Sequence, residues 1–436
     1  MTTGQQPVRV WGRKDSVSEI EVILGRGKME GKYVYVGWVQ KLRIAPVIAA
    51  LLLLSVACSG ASPGSSPSSN GNPFRILMIV NLTGSASYYG QGAVQSFGAA
   101  RKFLNKSGGI LNRPITIDYV DSQGDPTKAV SLLTQQMNSG VQYDLCVCGT
   151  FSAETLALLP ATTKAKLLTT SSGGASAFDD PANYPLYFGA QVQQKYPAQA
   201  LVQQVMKLGY KRPGIFISND VTGTELLGIY QQLFTSAGIQ PISQQYSPSQ
   251  LDFTPALQAL QAKQPDVVIL NAFGAPTGII FRNRAKLGWT VPVIANTTTA
   301  SQDLTSFVSM DQLTNVTEQH KVVDIPSGSS HKTAQWQATY DAVIGEGPLV
   351  SSLSNYSALF DVLLYFATAA KQAGSTDPDK IRQALENLKT PTPVPWVTWP
   401  HPLGYSSTEH FVVAESGDFT FTGVTHLDQG LNKPAS

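Results

Sequence analysis

The chain has 436 residues, 42% of them hydrophobic, with 31 Lys and Arg against 29 Asp and Glu, a formal charge of +2. Eight of those basic and four of those acidic residues fall within positions 1–57, so the stretch from Cys58 on carries 23 basic and 25 acidic residues, a net of −2. That balance offers no support for nucleic-acid binding, which requires a concentrated basic surface, and a chain of this length exceeds one ordinary core and points to two domains.

Residues 1–40, with "GRGKMEGKYVYVGW" among them, show no amphipathic period. An export signal follows instead. Lys41 and Arg43 precede an apolar run from Ile44 to Leu54 that contains Pro46, too short for a membrane span of roughly 20 residues but the length of a secretory h-region. "SVAC" then resembles the lipobox of bacterial lipoproteins, with Cys58 as the residue that takes the lipid, although Ser55 stands where leucine is usual. An uncleaved anchor or a buried N-terminal helix is the alternative reading. The Ser/Gly/Pro stretch "SGASPGSSPSSNG" after Cys58 favours cleavage, because such a sequence is flexible coil suited to a tether. The expected divisions are a leader and signal over 1–57, with translation starting at Met29 or Val39 and 1–28 or 1–38 untranslated, and a tether over 58–73.

Beyond the tether, short apolar runs alternate with helical stretches. Strands are expected at Arg75–Val80, Ile115–Val120, Asp144–Cys148 and Lys166–Ser171, separated by segments such as "DPTKAVSLLTQQMNSG". The pattern restarts with strands at Gly214–Ser218, Ile242–Ser247, Asp266–Phe273 and Val291–Asn296, and helices at Thr224–Ala237, Thr254–Lys263 and Thr277–Leu287. Such alternation implies parallel sheets covered by helices on both faces, and its repetition implies two similarly built α/β lobes. After residue 320 come a strand "KVVDIP", helices at Thr333–Val343, Asn355–Gly374 and Pro378–Leu388, and a hairpin in "HFVVAESGDFTF". This tail is too small for a third domain, so it returns to complete the earlier lobes.

Cys146 and Cys148 stand two apart on one strand face, too close for an ordinary disulfide, and no histidine spacing completes a metal site. Two buried thiols are the expectation, with no metal and no cofactor. The catalytic signatures HExxH, Walker A and GxSxG are absent, and "GQGAVQSFG" misses the dinucleotide fingerprint at Gln95, which leaves it a helix start. What remains is polar loop chemistry after the strands, in "NLTGSASYYGQG", "GTFSAET" and "TTSSGGASAFDD". Serine hydroxyls, glycine amides and helix N-termini at the carboxyl ends of parallel strands suit a small anionic group.

These segments resemble the branched-chain amino-acid (Leu/Ile/Val) binding protein family, type I periplasmic solute-binding proteins of ABC transporters. The family's "PLTG", "YG", "INAAGGI", "DD.GDP.KA" and "GP.SS" cues correspond to Leu82–Gly84, Tyr89 and Gly90, "LNKSGGI", "DSQGDPTKA" and "GTFSAE", and "RNRAKLGWTVPVIAN" and "GSTDPDKIRQALENL" match its second half. The resemblance implies two Rossmann-like lobes joined by three crossing segments, divided as 74–191 plus 323–405 for lobe 1 and 192–322 plus 406–436 for lobe 2. Carried over by position, Ser152 would bind a ligand carboxylate, Gly173 and Gly174 would offer backbone groups, and Tyr89 would pack on the ligand. Gly174 replaces the family's usual threonine. In the second lobe Thr222 and Phe273 take aromatic places, and Thr298, Thr299 or Asp303 in "NTTTASQD" would meet an ammonium.

The expected protein is thus a monomeric, extracytoplasmic, lipid-anchored receptor that binds a small carboxylate or amino acid and passes it to ABC permease subunits, and it is not an enzyme. A sensory receptor signalling to a membrane partner and an α/β enzyme are the rival readings.

Overall fold

The computed structural model of the protein describes residues 72–84, 87–327, 333–388, 401 and 403–435. The leader, Cys58 and the tether up to Gly71 lie outside the described residues. Among the described residues, no helix is long and apolar enough to cross a membrane.

The first lobe is built on β1 (Phe74–Val80), α1 (Ser87–Asn105), β2 (Ile115–Asp121), α2 (Pro126–Met137), β3 (Leu145–Cys148), α3 (Ser152–Lys164) and β4 (Leu168–Thr170). Its four strands run parallel in the order β2-β1-β3-β4. β1 reads FRILMIV and is buried at every position except Arg75, as a strand covered on both faces must be. Asp125 starts α2 by accepting the amides of Thr127 and Lys128, with Pro126 preset for the first turn. The near-fingerprint glycines lie inside α1 rather than at its start. Gly90 is needed there for packing, because a Cβ would sit 2.1 Å from the carbonyl oxygen of Asn81.

The chain leaves this sheet through α4 (Lys195–Lys207) and builds the second lobe from β5 (Pro213–Ser218), α5 (Val221–Ser236), β6 (Ile242–Tyr246), α6 (Thr254–Gln261), β7 (Val267–Asn271), α7 (Ala275–Lys286), β8 (Val293–Ala295), the short α8 (Thr297–Ala300) and α9 (Leu304–Phe307), and β9 (Val316–Lys321). It then returns. α10 (Ala334–Ile344), α11 (Ser354–Ala373) and α12 (Pro378–Glu386) pack on the first lobe, where Tyr356, Phe360, Leu363, Ile381 and Leu385 share a core with Ile76 and Phe97. α11 is apolar nearly all round because it is enclosed between α1 and α12. Finally β10 (Phe419–Thr422) joins the second sheet antiparallel to β9, giving the order β10-β9-β8-β7-β5-β6, and β11 (Thr425–Asp428) and β12 (Leu431–Pro434) form a hairpin. Where the chain crosses between lobes, Val192 and Val412 form a parallel bridge, so two of the crossings are tied to each other.

Three sequence expectations fail here. The strand expected at "KVVDIP" ends at Lys321, and Val322–Asp324 is a turn of 3-10 helix. The strand proper carries Glu318, Gln319, His320 and Lys321, all buried, so no apolar run announces it. Their partners come from far away: Glu318 Oε2 accepts the amide (3.0 Å) and hydroxyl (2.6 Å) of Thr425. The hairpin expected in "HFVVAESGDFTF" does not form, because Val412 pairs with Val192 and Phe419–Thr422 pairs with β9; the hairpin lies further on. Lastly, Cys146 and Cys148 are joined in a disulfide rather than held as thiols. Side chains two apart on a strand share a face, and their Cα atoms stand 5.4 Å apart, within the ordinary disulfide range.

Alkylation of the denatured protein without reductant, read by peptide mass spectrometry, should leave Cys146 and Cys148 unlabelled, and prior reduction should label both.

Candidate functional site

The two parallel sheets turn their carboxyl ends toward each other around a cavity of about 330 Å³. Its first wall depends on one carboxylate. β3 is followed by Gly149, which holds φ +84° where a Cβ would stand 2.8 Å from the Thr155 amide. The chain then passes Thr150 and Phe151 into α3. Glu154, fully buried in the first turn of that helix, accepts the amides of Thr150 and Phe151 at 3.3 Å each through Oε2 and the Ser122 hydroxyl through Oε1. The Thr150 hydroxyl also reaches Asn81 Oδ1. Glu154 thereby joins the loops that follow β2 and β3, the Thr150 hydroxyl ties them to the end of β1, and Ser152 is left on the cavity wall at the positive end of α3.

After β4, Ser172, Gly173 and Gly174 continue this wall. The Gly173 amide donates to Ser171 Oγ at 3.2 Å, so that group serves the loop. At Gly174 the space of a Cβ is filled by Gln194, whose Nε2 would stand 2.9 Å from it. The amide of Gln194, also on the wall, thus occupies room that the family's usual threonine would need.

The opposite wall comes from the second lobe. Asp220 caps α5 through the Gly223 amide (2.7 Å) and lines the cavity with Val221 and Thr222. Asn271, at the end of β7, lines it too, and its buried Nδ2 has no hydrogen-bond partner among the described residues. Phe273, Thr297, Thr298 and Ser301 complete this side. Thr299 and Asp303 do not line the cavity. The Thr299 hydroxyl accepts the Ala272 amide (2.8 Å) and donates to Leu270 O (3.1 Å), and Asp303 caps α9 by accepting the amide (3.0 Å) and hydroxyl (2.6 Å) of Thr305. The expected loop folds into two short helices, and their turn directs Thr298 and Ser301 to the cavity but Thr299 into the lobe.

Aromatic rings span the walls. Tyr89 meets Phe151 edge-on at 5.8 Å, and Phe151 stacks on Phe273 across the cleft, also at 5.8 Å. The lobes touch again where the Ser176 amide donates to Glu225 Oε1 (2.8 Å) and where the Tyr89 hydroxyl lies 3.5 Å from Ser301 Oγ. The cleft is therefore closed. Its floor is formed by the crossing segments, with Gln191, His320, Lys321 and Asp324. Lys321 Nζ donates to Gln191 Oε1 at 2.7 Å, and Asp324 accepts the amide (2.7 Å) and hydroxyl (2.9 Å) of Ser354. Burial pushes the Lys321 ammonium down to about 8 and the Asp324 carboxyl up from its ordinary value, while the charge of each opposes the shift of the other.

Tyr89, Ser152, Gly173, Gly174, Thr222, Phe273 and Thr298 are therefore brought to one cavity. Sequence reasoning missed Phe151, Gln194, Asp220, Asn271 and Lys321. Asp220 had a usable signal, a capping residue directly after a strand in "ISNDVTG"; Lys321 had none.

A family model described as periplasmic binding protein matches residues 73–415. Leu/Ile/Val-binding protein homolog 3 of Brucella melitensis biotype 1 is 22% identical over 210 residues, which span 48% of this chain and 56% of that relative. Among solved structures, a periplasmic binding protein type 1 from Bordetella pertussis Tohama I superposes with a TM-score of 0.71 at 16% identity, covering 83% of this chain and 99% of the other. A solute binding protein of an ABC transporter from Rhodopseudomonas palustris BisB5, in complex with 3,4-dihydroxy benzoic acid, gives 0.68 at 18% identity, covering 83% and 96%. At these identities the structural likeness is one of fold.

Glu154→Ala removes the acceptor for two buried amides and a hydroxyl, a loss of about 2–4 kcal/mol if each stranded donor costs on the order of 1 kcal/mol. Thermal denaturation should show a fall of roughly 3–6 °C.

Proposed function

The chain belongs to the periplasmic binding protein family, and on that premise we propose that it is an extracytoplasmic receptor that captures a small carboxylate or amino acid for an ABC importer. The observation that carries this reading is the cavity enclosed between the carboxyl ends of the parallel strands of two sheets, with walls from both lobes and a ring pair from its lining stacked between them. The receptor works by population shift. A solute that touches both walls does so only when they are together, so it stabilises the closed form, and the permease distinguishes closed from open.

In this reading Ser152 and the first amides of α3 take the ligand carboxylate, where the helix dipole favours an anion. Tyr89, Phe151 and Phe273 enclose the carbon skeleton. If the solute carries an ammonium, Asp220 is the acceptor, since it lines the cavity and Asp303 does not. The protein binds its solute without transforming it, and Cys58 anchors it to the membrane through a lipid and the tether.

Calorimetry with leucine, isoleucine and 3,4-dihydroxybenzoate tests the site. Ser152→Ala should weaken the best ligand by about 10-fold or more, the worth of one charge-assisted hydrogen bond. Asp220→Asn should weaken amino acids by a similar factor and leave acids without an ammonium unchanged; a best ligand indifferent to Ser152→Ala would refute the placement. The anchor is tested separately. Palmitate labelling in cells should mark the wild-type chain and fail in Cys58→Ser, and label that survives the substitution would exclude Cys58.

A further inference from the structure

Four carboxamides line the cavity among the described residues. Gln191 Oε1 accepts Lys321 Nζ at 2.7 Å, Asn355 Nδ2 donates to Ser351 Oγ at 3.4 Å, and Gln194 is only half-buried, so water can serve it. Asn271 differs from all three. It is 2% exposed, and its Nδ2 has no hydrogen-bond partner among the described residues. Its backbone is nonetheless held firmly. Asn271 closes β7 in register with Ile217 of β5, its carbonyl accepts the Tyr246 hydroxyl at 2.6 Å, and the amide of the following Ala272 donates to Thr299 Oγ1 at 2.8 Å. The second sheet thus fixes this side chain at the cavity through bonds of the main chain, while the carboxamide NH2 itself serves no bond of the fold.

A donor shut away from water and left without a partner costs free energy. At the wall of a ligand cavity the solute can supply the missing acceptor, which a hydrocarbon end cannot. That acceptor is best uncharged. Asp220, two positions beyond the end of β5, stands on the same wall, and its carboxylate repels an anion. Thr222 and Thr298 add hydroxyls beside it, so this wall is polar without being cationic. Resting on the receptor reading above, we propose that Asn271 is a specificity-determining residue that donates to an uncharged oxygen of the solute, so that the solute is a small carboxylate bearing a hydroxyl or a carboxamide where a branched-chain amino acid bears alkyl carbon. Ser152 and the start of α3 hold the carboxylate, the Tyr89, Phe151 and Phe273 rings flank the carbon skeleton, and Asn271 meets the polar group on the opposite wall. A site with a buried donor rejects the analogue that lacks the oxygen far more strongly than an apolar pocket rejects a missing methylene.

The test is titration calorimetry of the full chain with three pairs matched in shape: L-threonine against L-valine, L-asparagine against L-leucine, and 4-hydroxybenzoate against 4-methylbenzoate. In whichever pair binds, the polar member should be tighter by at least about 10-fold. Asn271→Leu keeps the shape of the side chain and removes its polarity, and it should bring that ratio to one or below. Asn271→Ala, which adds no bulk, is the second variant and should collapse the ratio in the same way, with a thermal melt to verify folding of each. A structural fault would weaken both members of a pair alike and leave the ratio standing, so the ratio reads the contact itself. L-aspartate, matched in shape to asparagine but anionic, should bind more weakly than asparagine by at least about 10-fold.

The assignment is overturned if the apolar member of a pair binds as well as the polar one, if L-aspartate binds as tightly as L-asparagine, or if the ratio survives in Asn271→Ala. Each of these results still requires a bound solute and so leaves the receptor reading standing. Failure of every probe to bind a cooperatively melting protein refutes both.

Discussion

The geometry of the cavity rests on Glu154. A carboxylate fully out of water must be saturated with donors or it destabilises the fold, and the donors it finds are the hydroxyl of Ser122 and the amides of Thr150 and Phe151. These belong to loops after different strands of one parallel sheet. Satisfying one buried charge thus fixes the relative position of segments that the sheet hydrogen bonds do not reach. Ser152 and Phe151 inherit their places from it, the one at the helix terminus and the other against Phe273 of the second lobe.

Closure is held by less. An aromatic pair contributes about 0.5–1.5 kcal/mol beyond its area, and a hydrogen bond such as Ser176 to Glu225 about 0.5–1.5 kcal/mol net. The Tyr89–Ser301 approach, at 3.5 Å, is at the limit of a hydrogen bond. These terms are small beside the binding energy of a micromolar ligand, about 8 kcal/mol. The lobes can therefore meet without a solute, but the solute decides how much of the population stays closed. The crossing segments make the movement a hinge rather than a separation, since Val192 pairs with Val412 and Gln191 bonds Lys321 at the very place where the lobes join.

Burial of charge recurs on the floor with a different consequence. Lys321 and Asp324 sit three residues apart on the second crossing, each shifted by burial toward its neutral form and each held charged in part by the other. Such a pair contributes little net stability once desolvation is counted.

The alternation of apolar runs with helical stretches determined two parallel α/β lobes, because a strand covered on both faces needs an unbroken apolar run and FRILMIV and DVVIL supply it. The carboxyl-end loops of the first lobe were legible for the same reason, since strand direction dictates which loops face the cleft, whereas Ser152, Thr222 and Phe273 were placed residue by residue through the family resemblance. The structure alone decided which faces of these loops turn inward. α8 rotates by about 100° per residue, so neighbouring Thr298 and Thr299 face opposite surroundings, and no local pattern in "NTTTASQD" distinguishes them. β9 was misplaced because its polar residues are buried by partners about a hundred positions away, and such pairing leaves no periodic trace. Lys321 was missed on the same ground, since local sequence reports burial through hydrophobicity, whereas a charge enclosed by the meeting of crossing segments is buried by topology.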